Sequence, residues 1–493
     1  MPVITFWGEH GMMSFRTAAL PLSVVAMLVA GCSSMAPDYV RPALPVPAQY
    51  DAAAPAPVPA ALAGWRTFFS DPKLQALIEQ ALRNNRDVRI AVLRVEQARA
   101  TYGIQRADLF PAIGAQAGLD RSRVPGDLNL TQQPVIASQY QVGLGLASWE
   151  LDFWGRVRSL RDAALEEYLA SDAMQRAATV TLIAQVAQSW LDLRELDQRI
   201  ALAQRTLATR QESYRIFSRR VEVGSTSRLN LTQVETLLIQ AQSLTVQLQQ
   251  ERDSKRHALQ LLIGATPDLP APSLSADAAL PDTPLPPVPA GLPSALLEQR
   301  PDIVAAEHQL KAANANIGAA RAAFFPRIAL TGSIGTASAE LSGLFGSGSR
   351  AWIFSPNIAL PLFDGGRRRD NLSLAEARRD SAVAAYEKTI QGAFRDVADA
   401  LSARLWLTRQ LEIAGNALRV QRERARLSQL RYDNGAAPFL DVLDAQRDLL
   451  IAEQQLVQVQ RAVLSSNVSL YTALGGDGGH AATHPLPTPG NPS

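Results

Sequence analysis

Two periodicities divide the chain. Apolar side chains recur at steps of three and four residues over long stretches, and between these lie short runs that alternate at every second position. Val180, Ile183, Val186, Trp190 and Leu193 keep the helical step, as do Leu231, Val234, Leu238 and Ala241. The step returns at Val383, Tyr386, Ile390, Phe394, Val397, Leu401 and Leu405, and again at Leu449, Ala452, Leu456, Val459 and Val463. Neither glycine nor proline occurs from Arg156 to Val223. As one helix that run would extend about 100 Å. Such spacing over such length means coiled-coil-like packing against neighbours. Gln240, Gln242, Gln247, Gln249 and Gln250, with Gln454, Gln455, Gln458 and Gln460, add a polar uncharged face that suits a water-lined wall or a plain solvated surface.

Shorter helices are expected over about 72–107 and 294–323, each ending near a Phe-Pro pair because proline cannot continue a helix. Strand-like alternation follows each. Ile113, Ala115, Ala117 and Leu119 alternate with Gly114, Gln116, Gly118 and Asp120; Tyr140, Val142, Leu144 and Leu146 alternate with Gln139, Gln141, Gly143 and Gly145. Ile328, Leu330 and Ile334 share one face of a third run, and Trp352, Phe354, Ile358 and Leu360 share one face of a fourth. Apolar-out, polar-in alternation over about ten residues marks an outer-membrane barrel strand, and a half-buried soluble hairpin gives the same pattern.

The order of elements occurs twice. At an offset of 215, Asp87, Ala98, Gly103, Phe110, Pro111 and Ile113 meet Asp302, Ala313, Gly318, Phe325, Pro326 and Ile328. At an offset of 211, Leu151, Gly155, Gly224, Leu229 and Gly264 meet Leu362, Gly366, Gly435, Leu440 and Gly475. An internal repeat is therefore expected, with residues 65–265 as the first copy and 294–476 as the second. The Pro-rich stretch 266–293 reads as a linker between them, 32–64 as an N-terminal linker, and 477–493 as a flexible tail.

Composition narrows the classes. The 493 residues carry 48 Lys+Arg against 46 Asp+Glu, a net charge of only +2 that gives no bulk electrostatic case for nucleic acid. Hydrophobic residues make up 47%, and the mean hydropathy of −0.03 excludes a polytopic helical membrane protein. The single cysteine, Cys32, excludes disulfides within the chain and four-cysteine zinc sites. It stands after Arg16, the apolar run Thr17–Ala30 and the small residues Val29-Ala30-Gly31, so residues 1–31 read as a signal peptide. This junction resembles the lipobox of bacterial lipoproteins, where Cys32 would become an acylated N-terminus. Ser33 follows where an aspartate would, by that resemblance, favour inner-membrane retention, so the outer membrane is the expected destination. Glu9 and His10 suit a signal poorly, which leaves Met12 or Met13 as alternative starts.

Four strands cannot close a barrel, because unpaired edges in lipid leave backbone groups unsatisfied. Two copies would give eight strands and a filled interior, and three would give twelve and a lumen. At this point the chain resembles the outer membrane factor family of tripartite efflux pumps, the TolC-like and OprM-like channels. The likeness rests on the lipobox, Trp65-Arg66-Thr67-Phe68-Phe69 with Asp71-Pro72, the paired Phe-Pro elements, Leu362-Phe363-Asp364-Gly365-Gly366-Arg367, and the stretch from Tyr432 to Gln446. The resemblance implies a mainly α protein with a membrane β-barrel. That means a homotrimer with a twelve-stranded barrel, four strands per chain, continued by a long periplasmic helical barrel and an equatorial mixed domain. It implies a periplasmic adaptor protein, an inner-membrane RND transporter and outer membrane lipid as partners.

By the same resemblance the periplasmic end closes as a gate. Asp441 and Asp444 match the family's paired aspartates and Tyr432 a tyrosine of its closing network. Acids in the first turn of a helix also simply complement its dipole. Their counterparts in the first repeat are Asn230 and Gln233, so a carboxylate ring would come from one repeat only. Ala436-Ala437-Pro438 offers no basic latch partner, and Arg228 is the candidate substitute. Gly224, Ser225, Gly435 and Ala436 stand in the turns that would meet the adaptor; chain reversal alone also explains the glycines. Arg156, Arg158 and Arg161, with Arg367, Arg368 and Arg369, would meet lipid headgroups or form a solvated rim. His480 and His484 lie in the Gly/Pro-rich tail, no catalytic constellation or P-loop appears, and neither cofactor nor metal is expected. The reading is a passive exit duct for small toxic compounds such as drugs, with export of secreted proteins or a non-pore periplasmic coiled-coil scaffold as the alternatives.

Overall fold

A computed structural model describes residues 34–47, 64–128, 130, 132–266 and 298–476. Helices α1 (Trp65–Phe68), α2 (Pro72–Asn84) and α3 (Arg86–Ala107) precede strands β1 (Ile113–Val124) and β2 (Val135–Glu150), then helices α4 (Arg156–Glu222) and α5 (Arg228–Ile263). The second series is α6 (Pro301–Ala322), β3 (Arg327–Ser338), β4 (Arg350–Ala359), α7 (Arg367–Asp433) and α8 (Phe439–Ala473). The stretch without helix breakers forms one helix of 67 residues, and α7 matches it with 67.

The single helix expected over 72–107 is interrupted at Asn85. Its amide closes α2 on Ala81 O, while its Oδ1 accepts from the amides of Asp87 and Val88 at 2.8 and 3.0 Å, and its Nδ2 donates to Leu262 O. An Asn side chain that serves the backbone this well competes with helix continuation. The later helix begins at Pro301, whereas residues 294–297 of its expected span lie outside the described residues, as do Cys32 and the C-terminal tail.

The chain divides into two compact units, one drawn from residues 1–41, 98–168 and 309–382, the other from 42–97, 169–308 and 383–493. Each repeat contributes to both. The first unit holds the sheet, an antiparallel array in the order β1-β2-β3-β4. Its register sets Ile113 against Leu146, Leu144 against Ile334, and Ile334 against Trp352, with Ile328 opposite Ile358. One apolar face therefore runs across all four strands, and it is bare: Ile113 is 70% exposed, Trp352 73% and Ile358 69%. The opposite face carries Gln116, Gln139, Gln141, Ser333 and Asn357 among glycines. Gly143 pairs with Gly335, and a Cβ on Gly143 would stand 2.5 Å from Ile334 O, so only glycine fits this cross-strand approach. Among the described residues, strands β1 and β4 keep their outer edges unpaired.

The N-terminal segment also docks within this unit. Asn314 of α6 donates to Pro37 O at 2.7 Å, Ser34 Oγ lies 3.2 Å from Ser159 Oγ in the first turn of α4, and Lys311 sits over the Tyr39 ring. Gly318 makes room for it: a Cβ there would come within 2.6 Å of Ala36 N and of Ser159 Oγ.

In the second unit α2 packs into a core of Trp65, Phe68, Phe69, Ile78, Ile183, Val186, Trp190, Leu259, Ile263 and Tyr471. The aromatic residues of the Trp-Arg-Thr-Phe-Phe stretch are thus core, with Phe68 4.6 Å from the Tyr471 ring, while Arg66 and Thr67 are exposed. Asp71 caps α2 through the amides of Lys73 and Leu74 and accepts from Trp190 Nε1 at 2.9 Å. Gly264 ends α5 at φ +70, against Asn84 O. Helices α4 and α8 run antiparallel, joined by polar rungs. Gln188 donates to Ser465 O, Arg461 to Glu195 at 2.9 Å, and Arg199 to Gln454 at 2.6 Å, with a return bond from the Gln454 amide to Arg199 O. Gln454 is therefore spent on a helix contact, and the water-lining face read for it from sequence does not extend that far.

Candidate functional site

Both long helices end in the same way. The amide of Ser225 donates to Arg220 O and that of Gly224 to Val221 O; in the second repeat Ala436 donates to Arg431 O and Gly435 to Tyr432 O, all at 2.8–3.0 Å. Gly224 and Gly435 hold φ +72 and +71, with none of the described residues within 4 Å of an added Cβ. Backbone handedness, and no crowding, demands glycine here, as in a Schellman-type cap. Gly224, Ser225, Gly435 and Ala436 are all exposed.

Just inside the turns an aromatic cluster ties the helix ends together. Phe439 stacks on Phe217 at 4.5 Å and meets Tyr432 at 4.8 Å, over buried Val234 and Leu443. Arg220 donates to the Tyr432 hydroxyl at 2.6 Å and lies over the Phe217 ring. These groups border a cavity of about 300 Å³ that Asn230 and Gln233 also line. The first-repeat counterparts of the two aspartates thus face the cluster.

Asp441 stands exposed in the first turn of α8. Asp444 pairs with Arg447 at 3.1 Å, and Arg447 reaches on to Asp448 at 3.2 Å. Arg424 of α7 donates to Asp448 at 2.5 Å, and that bond, aided by Arg447, holds the Asp448 carboxyl below the usual carboxylate range. Arg210 is 3% exposed and donates to Gln446 at 2.9 Å, with burial lowering its pKa; guanidinium stays charged even so. A chain of charge therefore runs along the start of α8, anchored to α7 by Arg424 and to α4 by Arg210.

Among the described residues no ion pair joins Arg228 to Asp441 or Asp444; it is exposed at the first position of α5. The basic partner of Tyr432 is Arg220, which sequence reasoning missed. The repeat held the signal: Arg220 is the counterpart of Arg431, the neighbour of Tyr432. The arginines that follow the strands are also less free than expected. Arg156 forms a two-bond pair with Glu150 at 2.8 Å, Arg158 pairs with Asp152, Arg161 with Asp162 and Arg368 with Asp364. Nearby carboxylates thus hold these four, while Arg367 and Arg369 are exposed.

Known proteins share this sequence and architecture. A family model described as outer membrane efflux protein matches residues 77–265 and 292–476. The outer membrane protein OprJ of Pseudomonas aeruginosa is 45% identical over 464 residues, spanning 92% of this chain and 95% of that protein. The solvent efflux pump outer membrane protein SrpC of Pseudomonas putida is also 45% identical over 464 residues, with 92% and 97% covered. Among solved structures, the open state of the MtrE outer membrane channel of Neisseria gonorrhoeae is similar, with a TM-score of 0.81 and 41% identity over 90% of this chain and 98% of that one.

Proposed function

The chain belongs to the outer membrane efflux protein family, and from that premise we propose that it is the passive exit duct of a tripartite pump, built as a homotrimer. The observation that carries this reading is the sheet: four strands with one bare apolar face and two open edges. Such a sheet in lipid would leave both edges unsatisfied, at several kcal/mol for each backbone group. Three copies give twelve strands, an outer surface of Ile113, Ile334, Trp352 and Ile358, and a polar interior wide enough for water. A second feature supports the same assembly. Trp406, Ile413, Val420 and Leu427 recur every seventh residue along α7, and each is 44–67% exposed. A heptad stripe of that kind needs a neighbouring helix to cover it.

In this reading repeats 65–265 and 294–476 form one continuous duct, the barrel leading into a periplasmic helical tunnel. Asp441, Asp444 and Tyr432 sit at its narrowing, with Arg220 in place of Arg228 as the basic tie. The exposed turns at Gly224-Ser225 and Gly435-Ala436 face a periplasmic adaptor, beyond which an inner-membrane RND transporter supplies the energy. Small toxic compounds such as drugs are the cargo. SrpC, by name a solvent efflux protein, gives that class a precedent. The duct itself performs no chemistry. Full-length protein reconstituted in planar bilayers is expected to conduct ions as a trimer; a trimer-free preparation or an electrically silent one overturns the proposal.

Lipidation of Cys32 belongs to the same reading. Ser34 to Tyr39 are docked on α6 and α4 of the sheet-bearing unit, which fixes the chain two residues from that sulfur. Several acyl chains anchor firmly where one is marginal, at about 0.8 kcal/mol per buried methylene. Cys32→Ala is expected to abolish incorporation of labelled palmitate, as read by fluorography of the purified protein, while the barrel still reaches the outer membrane. Undiminished labelling would refute Cys32 as the acceptor.

A further inference from the structure

A glycine inside a helix costs about 1 kcal/mol relative to alanine, so Gly318 in α6 and Gly103 in α3 each call for a reason. For Gly318 the reason is in the chain: Ala36 and Ser159 press against it. For Gly103 it is not found among the described residues, none of which lies within 4 Å of an added Cβ. Yet the two glycines are counterparts in the repeat, at the offset of 215. Ser159 likewise has a counterpart, Asp370, at the offset of 211. Each is the fourth residue of its 67-residue helix, with amides bonded to Gly155 O and Gly366 O at 2.9 and 3.0 Å. One seat is filled and its twin is empty.

We propose that the empty seat on α3, at Gly103, receives the first turn of α7 from a second copy of this chain, closed by an ion pair between Arg99 and Asp370. The inference rests on the trimer proposed above. Three chains of two repeats place six like units around one axis, so a contact made by the second repeat's short helix with the first repeat's long helix inside a chain must alternate with its twin between chains. The residues that differ between the seats fit this alternation. In the filled seat Asn314 and Ser159 are neutral and hold the N-terminal segment. That segment occurs once per chain and cannot serve both seats. In the empty seat their counterparts are Arg99 and Asp370, a cation and an anion. Both are exposed, and neither has an ion pair among the described residues. Opposite charges thus replace the missing segment, and the larger side chains take up its space. The nearby Ile104, 64% exposed where Ala319 stands in the second repeat, gives the contact apolar area.

The test uses full-length lipidated protein in detergent, with assembly followed by light scattering. Arg99→Asp and Asp370→Arg each set like charges against one another, and each is expected to weaken the trimer at least tenfold. The swapped pair, Arg99→Asp with Asp370→Arg, is expected to restore it. Arg99→Cys with Asp370→Cys should give covalent dimers and trimers on oxidation. With a trimeric wild type, single variants that assemble normally, losses that the swap fails to restore, or a cysteine pair that links nothing overturn the contact alone. A monomeric wild type overturns the trimer and this contact together.

Discussion

Asp441→Ala combined with Asp444→Ala is expected to raise the single-channel conductance of the reconstituted trimer about tenfold. The two side chains stand near the start of α8, beside the aromatic cluster that joins the helix ends. In the proposed trimer, three-fold symmetry would bring six such carboxylates to one narrowing, where they would act as acceptors between chains. A hydrogen bond to a charged group contributes about 1.5–3 kcal/mol, and 1.4 kcal/mol is a factor of ten in the balance between closed and open. The variant is specific because Arg447, deprived of Asp444, keeps Asp448 as a partner. The fold of the helix end is therefore expected to survive while the proposed tie between chains goes. Removing such a ring is also expected to lower any preference for cations, because a ring of carboxylates favours them. Asn230→Ala with Gln233→Ala removes the neutral counterparts, which line the intrachain cavity, and serves as the control. Conductance equal to wild type in the aspartate variant would show that these residues do not close the duct.

Much of the architecture was legible because it rests on local rules. The absence of glycine and proline from Arg156 to Val223 was enough to set the length of α4, and strand alternation gave all four strands on the correct face. The register carried Ile113, Leu144, Ile334 and Trp352 onto one surface, as their parity required. The break at Asn85 was not legible, because it depends on Leu262, a partner far away in the sequence. Nor was the heptad stripe on α7. The helical step from Val383 to Leu405 implies packing against neighbours, and burial does follow at Tyr386, Ile390 and Val397; beyond them the stripe at Trp406, Ile413, Val420 and Leu427 is exposed.

The site was legible in its backbone and less so in its side chains. Gly224 and Gly435 announce their turns because only glycine adopts that φ without cost. Arg228, the candidate substitute for a basic latch partner, has no ion pair with Asp441 or Asp444 among the described residues, whereas Arg220 donates to the hydroxyl of Tyr432, which faces α4. Arg210 offered no signal at all. A lone arginine on a helix reads as a solvated charge, and only packing against α8 shows that it is buried with Gln446.

Glu195 is a charged residue whose importance comes from burial, and Glu195→Ala is expected to be strongly destabilising. The residue is 6% exposed and accepts from Arg199 at 3.1 Å and from Arg461 at 2.9 Å, so one carboxylate holds cations on both α4 and α8. Taking it away leaves two guanidinium groups partly out of water, with side-chain exposures of 17% and 34%. Breaking a buried pair from one side costs about 3–5 kcal/mol. Arg199 keeps Gln454, and Arg461 keeps Asp192 at 3.6 Å, so the lower end of that range is expected. Glu195→Gln retains an acceptor and the packing but removes the charge, and should lose about half as much. Thermal unfolding of the trimer followed by helical circular dichroism separates the two. If alanine and glutamine variants melt with the wild type, the rung joining α4 to α8 is held by Gln188, Gln454 and Arg210 without help from this carboxylate.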